Sequence, residues 1–186
     1  MSDNFTDSRD GKTYKTVKIG AQIWMAENLN YDAPGSKCYE NDPANGEKYG
    51  RLYDWKTAME ACPAGWHLPS NEEWDELYRF VDGDTGTKSP YKSKIAGKFL
   101  KSKEGWNDDE GKSGNGEDKF GFSALPGGFG YSGGGFGIVG DIGYWWSASE
   151  GNSGSAYYRG MYYYSEGARY SFDGKRGLRS VRCVQD

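Results

Sequence analysis

The sequence predicts an α+β domain in which two or three helices pack on short, mostly antiparallel strands with long Gly-rich loops. Three observations lead there. A strand hairpin pattern comes first, helical periodicities follow, and the second half is a run of short strand patterns separated by glycines. The 186 residues suit one domain and can bury a sizeable core without help from a metal. That domain is expected over residues 5–186, with residues 1–4 read as a lead-in.

Residues 13–19 alternate polar with apolar and read as a strand. Gly20-Ala21 supplies a turn, and Gln22-Ile23-Trp24-Met25 opens the returning strand. Residues 28–50 are rich in Asn, Asp, Pro and Gly and read as a loop. Leu52, Trp55, Ala58, Met59 and Cys62 recur at helical spacing, which predicts a helix over 51–61 stopped by Pro63 and Gly65. Ser70 and Glu73 form a capping box, and Trp74, Leu77, Tyr78 and Val81 follow on one helical face. A shorter helix is expected within 92–101, around Ile95, Phe99 and Leu100. The acidic, Gly-rich stretch 104–118 reads as loop. Strands are expected over 120–125, 144–148, 156–164, 168–172 and 179–184, with no internal repeat.

Composition narrows the function. Only 35% of residues are hydrophobic, yet 16% are aromatic, so seven Trp, fifteen Tyr and eight Phe must carry much of the core. A formal charge of −4, with Lys and Arg scattered among Asp and Glu, leaves no basic stripe for phosphates and argues against a nucleic-acid partner. No run approaches the ~20 apolar residues of a membrane span, and no signal-peptide pattern is present. The three cysteines, Cys38, Cys62 and Cys183, match no zinc spacing, and His67 is the one histidine. No nucleophile elbow occurs, and Gly133-Gly134-Gly135 is not placed as a phosphate cradle.

Six ordered strings carry a resemblance. They are Trp24-Met25-Ala26-Glu27-Asn28-Leu29, Tyr49-Gly50-Arg51-Leu52-Tyr53, Cys62-Pro63-Ala64-Gly65-Trp66-His67-Leu68-Pro69, Gly121-Phe122-Ser123-Ala124-Leu125-Pro126-Gly127-Gly128, Trp145-Trp146-Ser147-Ala148-Ser149, and Ser180-Val181-Arg182-Cys183-Val184. Through them the chain resembles the Fibrobacter major paralogous domain family, bacterial cell-surface domains related to the C-type-lectin-like and formylglycine-generating-enzyme folds. The resemblance implies a C-type-lectin-like fold and an extracellular or cell-surface location. It leaves the ligand and the oligomeric state open.

The same resemblance implies a disulfide between Cys62 and Cys183, with two buried thiols as the alternative. Such a bond would close a loop of about 120 residues, worth roughly 4–5 kcal/mol on the chain-entropy model. Family members often carry a second cysteine near the position of Gly46, so Cys38 is expected to be a free thiol in a polar loop. The related formylglycine-generating enzymes are copper oxidases that need two active-site cysteines in the C-terminal half. Here Cys183 stands alone there, so no catalytic residue and no enzyme activity is expected. His67 lies in a turn and is expected to be a packed, hydrogen-bonded residue.

No metal site and no cofactor is assigned. Calcium is the one ion for which oxygen ligands are dense, at Asp82, Asp84, Asn107, Asp108, Asp109, Glu110, Asn115, Glu117 and Asp118, but no complete calcium-loop pattern is present. Trp106-Asn107-Asp108 copies a tripeptide of sugar-binding C-type lectins yet sits in the acidic loop rather than on a late strand. It carries no assignment.

The candidate binding face lies in residues 150–176. Tyr157, Tyr158, Tyr162, Tyr163, Tyr164 and Tyr170 fall within fourteen residues, amid Ser, Gly, Asn, Asp and Arg. Strand alternation puts Tyr157, Arg159 and Tyr163 on the side of Met161 and turns Tyr158, Tyr162 and Tyr164 outward. This is the composition of an antibody paratope, and of domains diversified by retroelements that mutate adenines. The expected ligand-binding residues are Trp145, Glu150, Asn152, Ser155, Tyr158, Tyr162, Tyr164, Arg169, Tyr170, Asp173 and Arg176. A surface protein or a glycan, including a cell-wall or plant polysaccharide, would be the partner. The competing readings are a Tyr-rich sheet packed under loops and a structural module of a larger surface protein.

Overall fold

A computed structural model describes residues 2–83 and 92–186. It holds helices and sheets in the mixed order expected of an α+β domain. The N-terminal part comprises β1 (Ser2–Thr6), β2 (Thr13–Ile19), β3 (Gln22–Met25), α1 (Pro43–Tyr49), β4 (Leu52–Tyr53), α2 (Trp55–Ala61), β5 (Trp66–His67) and α3 (Asn71–Val81). Then come β6 (Lys92–Ser93), α4 (Ala96–Leu100), β7 (Phe129–Gly130), β8 (Phe136–Gly137), β9 (Ile142–Asn152), β10 (Ser155–Tyr162), β11 (Ala168–Gly174), β12 (Arg179–Ser180) and β13 (Val184–Gln185). One sheet runs β1-β2-β3-β13-β5, a second β4-β12-β9-β10-β11-β6, and β7 pairs with β8.

The expected hairpin forms. Ile19 faces Gln22 across Gly20-Ala21, with Gly20 at φ 62°, a conformation glycine takes without strain. Residues 2–4, read from sequence as a lead-in, instead pair with β2 as part of β1. The Ser70 capping box is present in both directions: Glu73 N–H donates to Ser70 Oγ at 3.2 Å, and Ser70 N–H donates to Glu73 Oε2 at 2.8 Å. It launches α3, whose Trp74, Leu77, Tyr78 and Val81 are buried as the spacing required.

Several elements differ from the sequence reading. Within 28–50 a helix, α1, forms. Asp42 caps it by accepting from Ala44 N–H, and Pro43 occupies its first turn. Its Asn and Gly leave no apolar stripe, so periodicity could not reveal it. The helix expected over 51–61 begins at Trp55, capped by Asp54, while Leu52 and Tyr53 pair with β12. Met59 is accordingly 44% exposed rather than core. Residues 120–125 are no strand. Asp118, Gly121 and Ser123 take positive φ, and the Asp118 carboxylate accepts from Ser123 N–H and Oγ–H, folding this segment around the buried Phe122. The strand expected over 179–184 is split between the two sheets.

Adjacent Trp145 and Trp146 of β9 point to opposite faces and enter separate cores. Trp145 joins Trp24, Trp74, Phe122 and Met161. Trp146 joins Tyr53, Leu68, Val181 and Cys183. The disulfide Cys62–Cys183 is present, with Cα atoms 6.0 Å apart. Cys38 is a free thiol, as expected, and it is buried.

A polar network fills the space between these elements. Asn28 Oδ1 accepts from Trp145 Nε1 at 2.8 Å and from Arg182 Nη2 and Nε at 2.8 and 3.1 Å. Asn28 Nδ2 donates to the Tyr49 carbonyl at 2.8 Å. Arg182 is fully buried, also donates to the Phe122 carbonyl, and lies over the Phe122 ring. Burial lowers its pKa to about 9.

Candidate functional site

The central strands of the larger sheet set out the site. In β9, β10 and β11 the register pairs Trp146 with Tyr158, Tyr144 with Gly160, Tyr158 with Ser171 and Gly160 with Arg169. Directly paired residues share a face, so Tyr144, Tyr158 and Tyr162 stand together on one side. Gly160 makes the arrangement possible. A Cβ there would come within 3.0 Å of the Tyr144 ring and 3.2 Å of the Tyr162 hydroxyl.

The result is a continuous aromatic belt. Ring centroids lie 4.9 Å apart for Phe129–Tyr131, 5.6 Å for Phe129–Tyr144, 4.7 Å for Tyr144–Tyr158, 5.9 Å for Tyr144–Tyr162 and 5.4 Å for Tyr162–Tyr164. These tilted and edge-on contacts are the favoured ones for aromatic pairs. The belt ends, Tyr131 and Tyr164, are 53% and 50% exposed, and its middle is half-buried. Burial pushes the Tyr144 and Tyr162 phenols upward, so both remain neutral donors at ordinary pH.

Beside the belt runs an open groove of about 580 Å³, lined among others by Phe129, Tyr131, Tyr144, Tyr158, Asp173 and Arg179. The Arg179 guanidinium carbon sits 4.3 Å from the Trp146 centroid and 4.4 Å from that of Tyr158. Its Nη2 pairs with Asp173 at 2.6 Å.

The sequence-predicted residues divide. Tyr158, Tyr162 and Tyr164 lie along the belt; exposed Arg169 reaches over Tyr162 at 5.6 Å; Asp173 and Arg176 line the groove. Others lie elsewhere. Trp145 is fully buried and hydrogen-bonded to Asn28, so it is core and not part of any exposed face. Ser155 is buried, and Asn152 closes the β9–β10 turn by accepting from Gly154 and Ser155 N–H. Exposed Glu150 pairs with Lys175. Tyr170 is on the opposite face of the sheet, against Tyr157 and Arg159. On that face Arg159 is fully buried and bound to Asp75 at 2.9 Å, while Tyr157 is only half-buried and no more covered than Tyr158.

Sequence reasoning missed Phe129, Tyr131, Tyr144 and Arg179. The first two flank a glycine run that carried no periodic signal. Tyr144 and Arg179 lay in strands recognised as strands, but their face depends on a register that the sequence alone does not fix.

Several of the side chains noted for calcium take part in local structure. Asn107 Nδ2 donates to Asp141 at 2.8 Å, Asn115 Oδ1 accepts from Trp106 N–H, Asp82 accepts from Ser93, and Glu117 pairs with Lys98. Asp84 lies outside the described residues. The Lys101 ammonium donates to the carbonyls of Gly114, Tyr162 and Ser165, and burial lowers its pKa to about 8. Among the described residues no group of three or more His, Cys, Asp or Glu could hold a metal ion. His67 is held between Asp186 on Nδ1 at 2.6 Å and Glu73 on Nε2 at 2.7 Å. Burial disfavours its charged form, but the two carboxylate hydrogen bonds outweigh this and raise its pKa. Glu73 is simultaneously the capping residue of α3, so this trio ties β5, α3 and the C-terminal end together.

No helix among the described residues is long and apolar enough to cross a membrane. No curated protein and no solved structure matches the chain. A family model described as the Fibrobacter succinogenes major domain matches residues 17–185, and these span nearly all of the elements above. The chain therefore belongs to the Fibrobacter succinogenes major domain family.

Proposed function

We propose that this domain is a non-catalytic ligand-binding module of a bacterial surface protein, with a C-type-lectin-like fold and a binding face on the outer side of the larger sheet. The observation that carries the reading is the belt from Tyr131 to Tyr164, half-exposed and bordering a groove of about 580 Å³. A contiguous half-exposed aromatic surface is unfavourable in water unless a ligand covers it. Tyrosines add contact area at small entropic cost, and flat rings stack on the apolar faces of sugars as readily as on protein side chains. The C-terminal strands returning beside the N-terminal hairpin, and the staple from the end of α2 to the segment before β13, support the fold assignment.

An array of glycans and bacterial surface proteins, probed with the labelled domain, tests the reading. Retention on a defined ligand should be lost in Tyr162→Ala and Tyr164→Ala while the circular dichroism spectrum is unchanged. Binding that survives both substitutions, or no binding to any class, would overturn it. If the face is diversified by a retroelement, sister genes should differ chiefly at Tyr158, Tyr162, Tyr164 and their neighbours.

A further inference from the structure

Arg179 is an unusual floor for a groove. Its side chain is 3% exposed, its Nε and Nη1 have no hydrogen-bond partner, and its charge is offset by a single carboxylate, Asp173, itself 63% exposed. Gly177 leaves space for the guanidinium, since a Cβ there would come within 2.6 Å of Nη1. The guanidinium lies against the Trp146 and Tyr158 rings, which fix its plane and limit its hydration. Nε and Nη1 expose almost no surface, so an acceptor entering from the groove meets the guanidinium through Nη2, where it replaces the exposed Asp173 carboxylate. At the groove edge Lys175 is engaged by Glu150, while Arg176 is exposed and has no ion-pair partner among the described residues. The lining residues Lys175, Arg176 and Arg179 therefore outnumber Asp173 in charge, and the uncommitted positive charge sits beside an aromatic platform.

We infer that the groove takes an acidic glycan, its sugar ring packed against the tilted Tyr144 and Tyr158 rings and its carboxylate directed to Arg179 and Arg176 in competition with Asp173. The inference rests on the ligand-binding reading above and narrows its ligand class. A guanidinium suits a carboxylate, and the neighbouring aromatic rings suit a pyranose rather than an extended acidic peptide backbone.

Calorimetry with tetragalacturonic acid and with its fully methyl-esterified form tests this, since the two differ in charge and share their rings. The acid should bind at least tenfold tighter than the ester. Asp173→Asn, at an exposed position, should tighten the acid several-fold by removing the competing carboxylate and so widen the gap between acid and ester. Arg176→Gln should weaken the acid three- to tenfold and flatten its salt dependence. Equal affinity for acid and ester, or a loss of acid binding in Asp173→Asn, overturns the inference. If neutral oligosaccharides bind in a Tyr162-dependent way while the acid does not, the acidic class fails and the binding face stands. If hexaglutamate binds through Arg176 and tetragalacturonic acid does not, the glycan assignment is overturned. If nothing binds on the array either, the binding-face reading itself fails.

Discussion

Replacing Asn28 with Ala should be among the most destabilising single changes in this domain. The side chain is 5% exposed, and it serves four strong contacts at once. Its Oδ1 satisfies the Trp145 indole N–H and two N–H groups of Arg182; its Nδ2 satisfies the Tyr49 carbonyl. Each neutral group left unsatisfied costs about 1–2 kcal/mol, and the charged donor costs about 2–3 kcal/mol because no carboxylate among the described residues pairs with Arg182. One water entering the vacated space would recover part of this. The expected loss is about 3–5 kcal/mol. Asn28→Asp separates the causes, because a carboxylate keeps the acceptor and neutralises Arg182 while losing the donor to Tyr49. It should lose at least ~1 kcal/mol less than Asn28→Ala. Urea unfolding followed by tryptophan fluorescence at neutral pH measures both. A loss below ~1 kcal/mol for Asn28→Ala, with an unchanged denaturant slope, would refute the claim that this amide organises the core.

Gly46→Cys should create a second disulfide, since the Gly46 Cβ position lies 3.6 Å from Cys38 Cβ and 2.5 Å from its Sγ. After air oxidation, mass spectrometry under non-reducing conditions should show the loss of two hydrogen atoms, and stability should rise by roughly 2–3 kcal/mol for so short a loop. Removing the existing staple with Cys62→Ser and Cys183→Ser together should cost roughly 2–5 kcal/mol in urea unfolding; an unchanged midpoint would contradict it. His67→Gln should lower the melting temperature more at pH 6 than at pH 8.5. A folded pKa raised above 6.5 gives a contribution that is whole below 6.5 and fades as pH rises through the raised value. An equal effect at both pH values would mean that the two carboxylates do not favour the charged ring.

Much of the fold was legible because local signals were complete. The hairpin had alternation and a turn, and α3 had its capping box and apolar stripe. The helix α1 was invisible because its sequence signals are the Asp42 cap and Pro43 at its start, while its buried residues, Gly46 and Tyr49, form no periodic apolar stripe. Residues 120–125 looked like a strand because Phe122 is core, yet positive φ at Gly121 and Ser123 breaks any extended run. The six motif strings turn out to encode the interior. Asn28, Tyr49, Phe122, Trp145 and Arg182, from five of them, meet in one polar network, and Cys62 of the sixth bonds to the neighbour of Arg182. That is why those strings indicate the family and are silent about the ligand. The Tyr-rich segment drew attention to the right sheet, but Phe129 and Tyr144 joined the belt through register and Gly160, which composition does not encode.

The position of the last two strands has a consequence for biogenesis. β12 lies between β4 and β9, and β13 lies between β3 and β5, so each sheet is joined through residues near the end of this chain. While those residues are still inside the ribosome, neither sheet can be completed. The native state therefore waits for residues 179–185 and forms through contacts of high sequence separation such as Trp24 with Val184, which favours slow folding. A nascent chain stalled before Arg179 should remain open to protease and to chaperones that bind exposed aromatic segments.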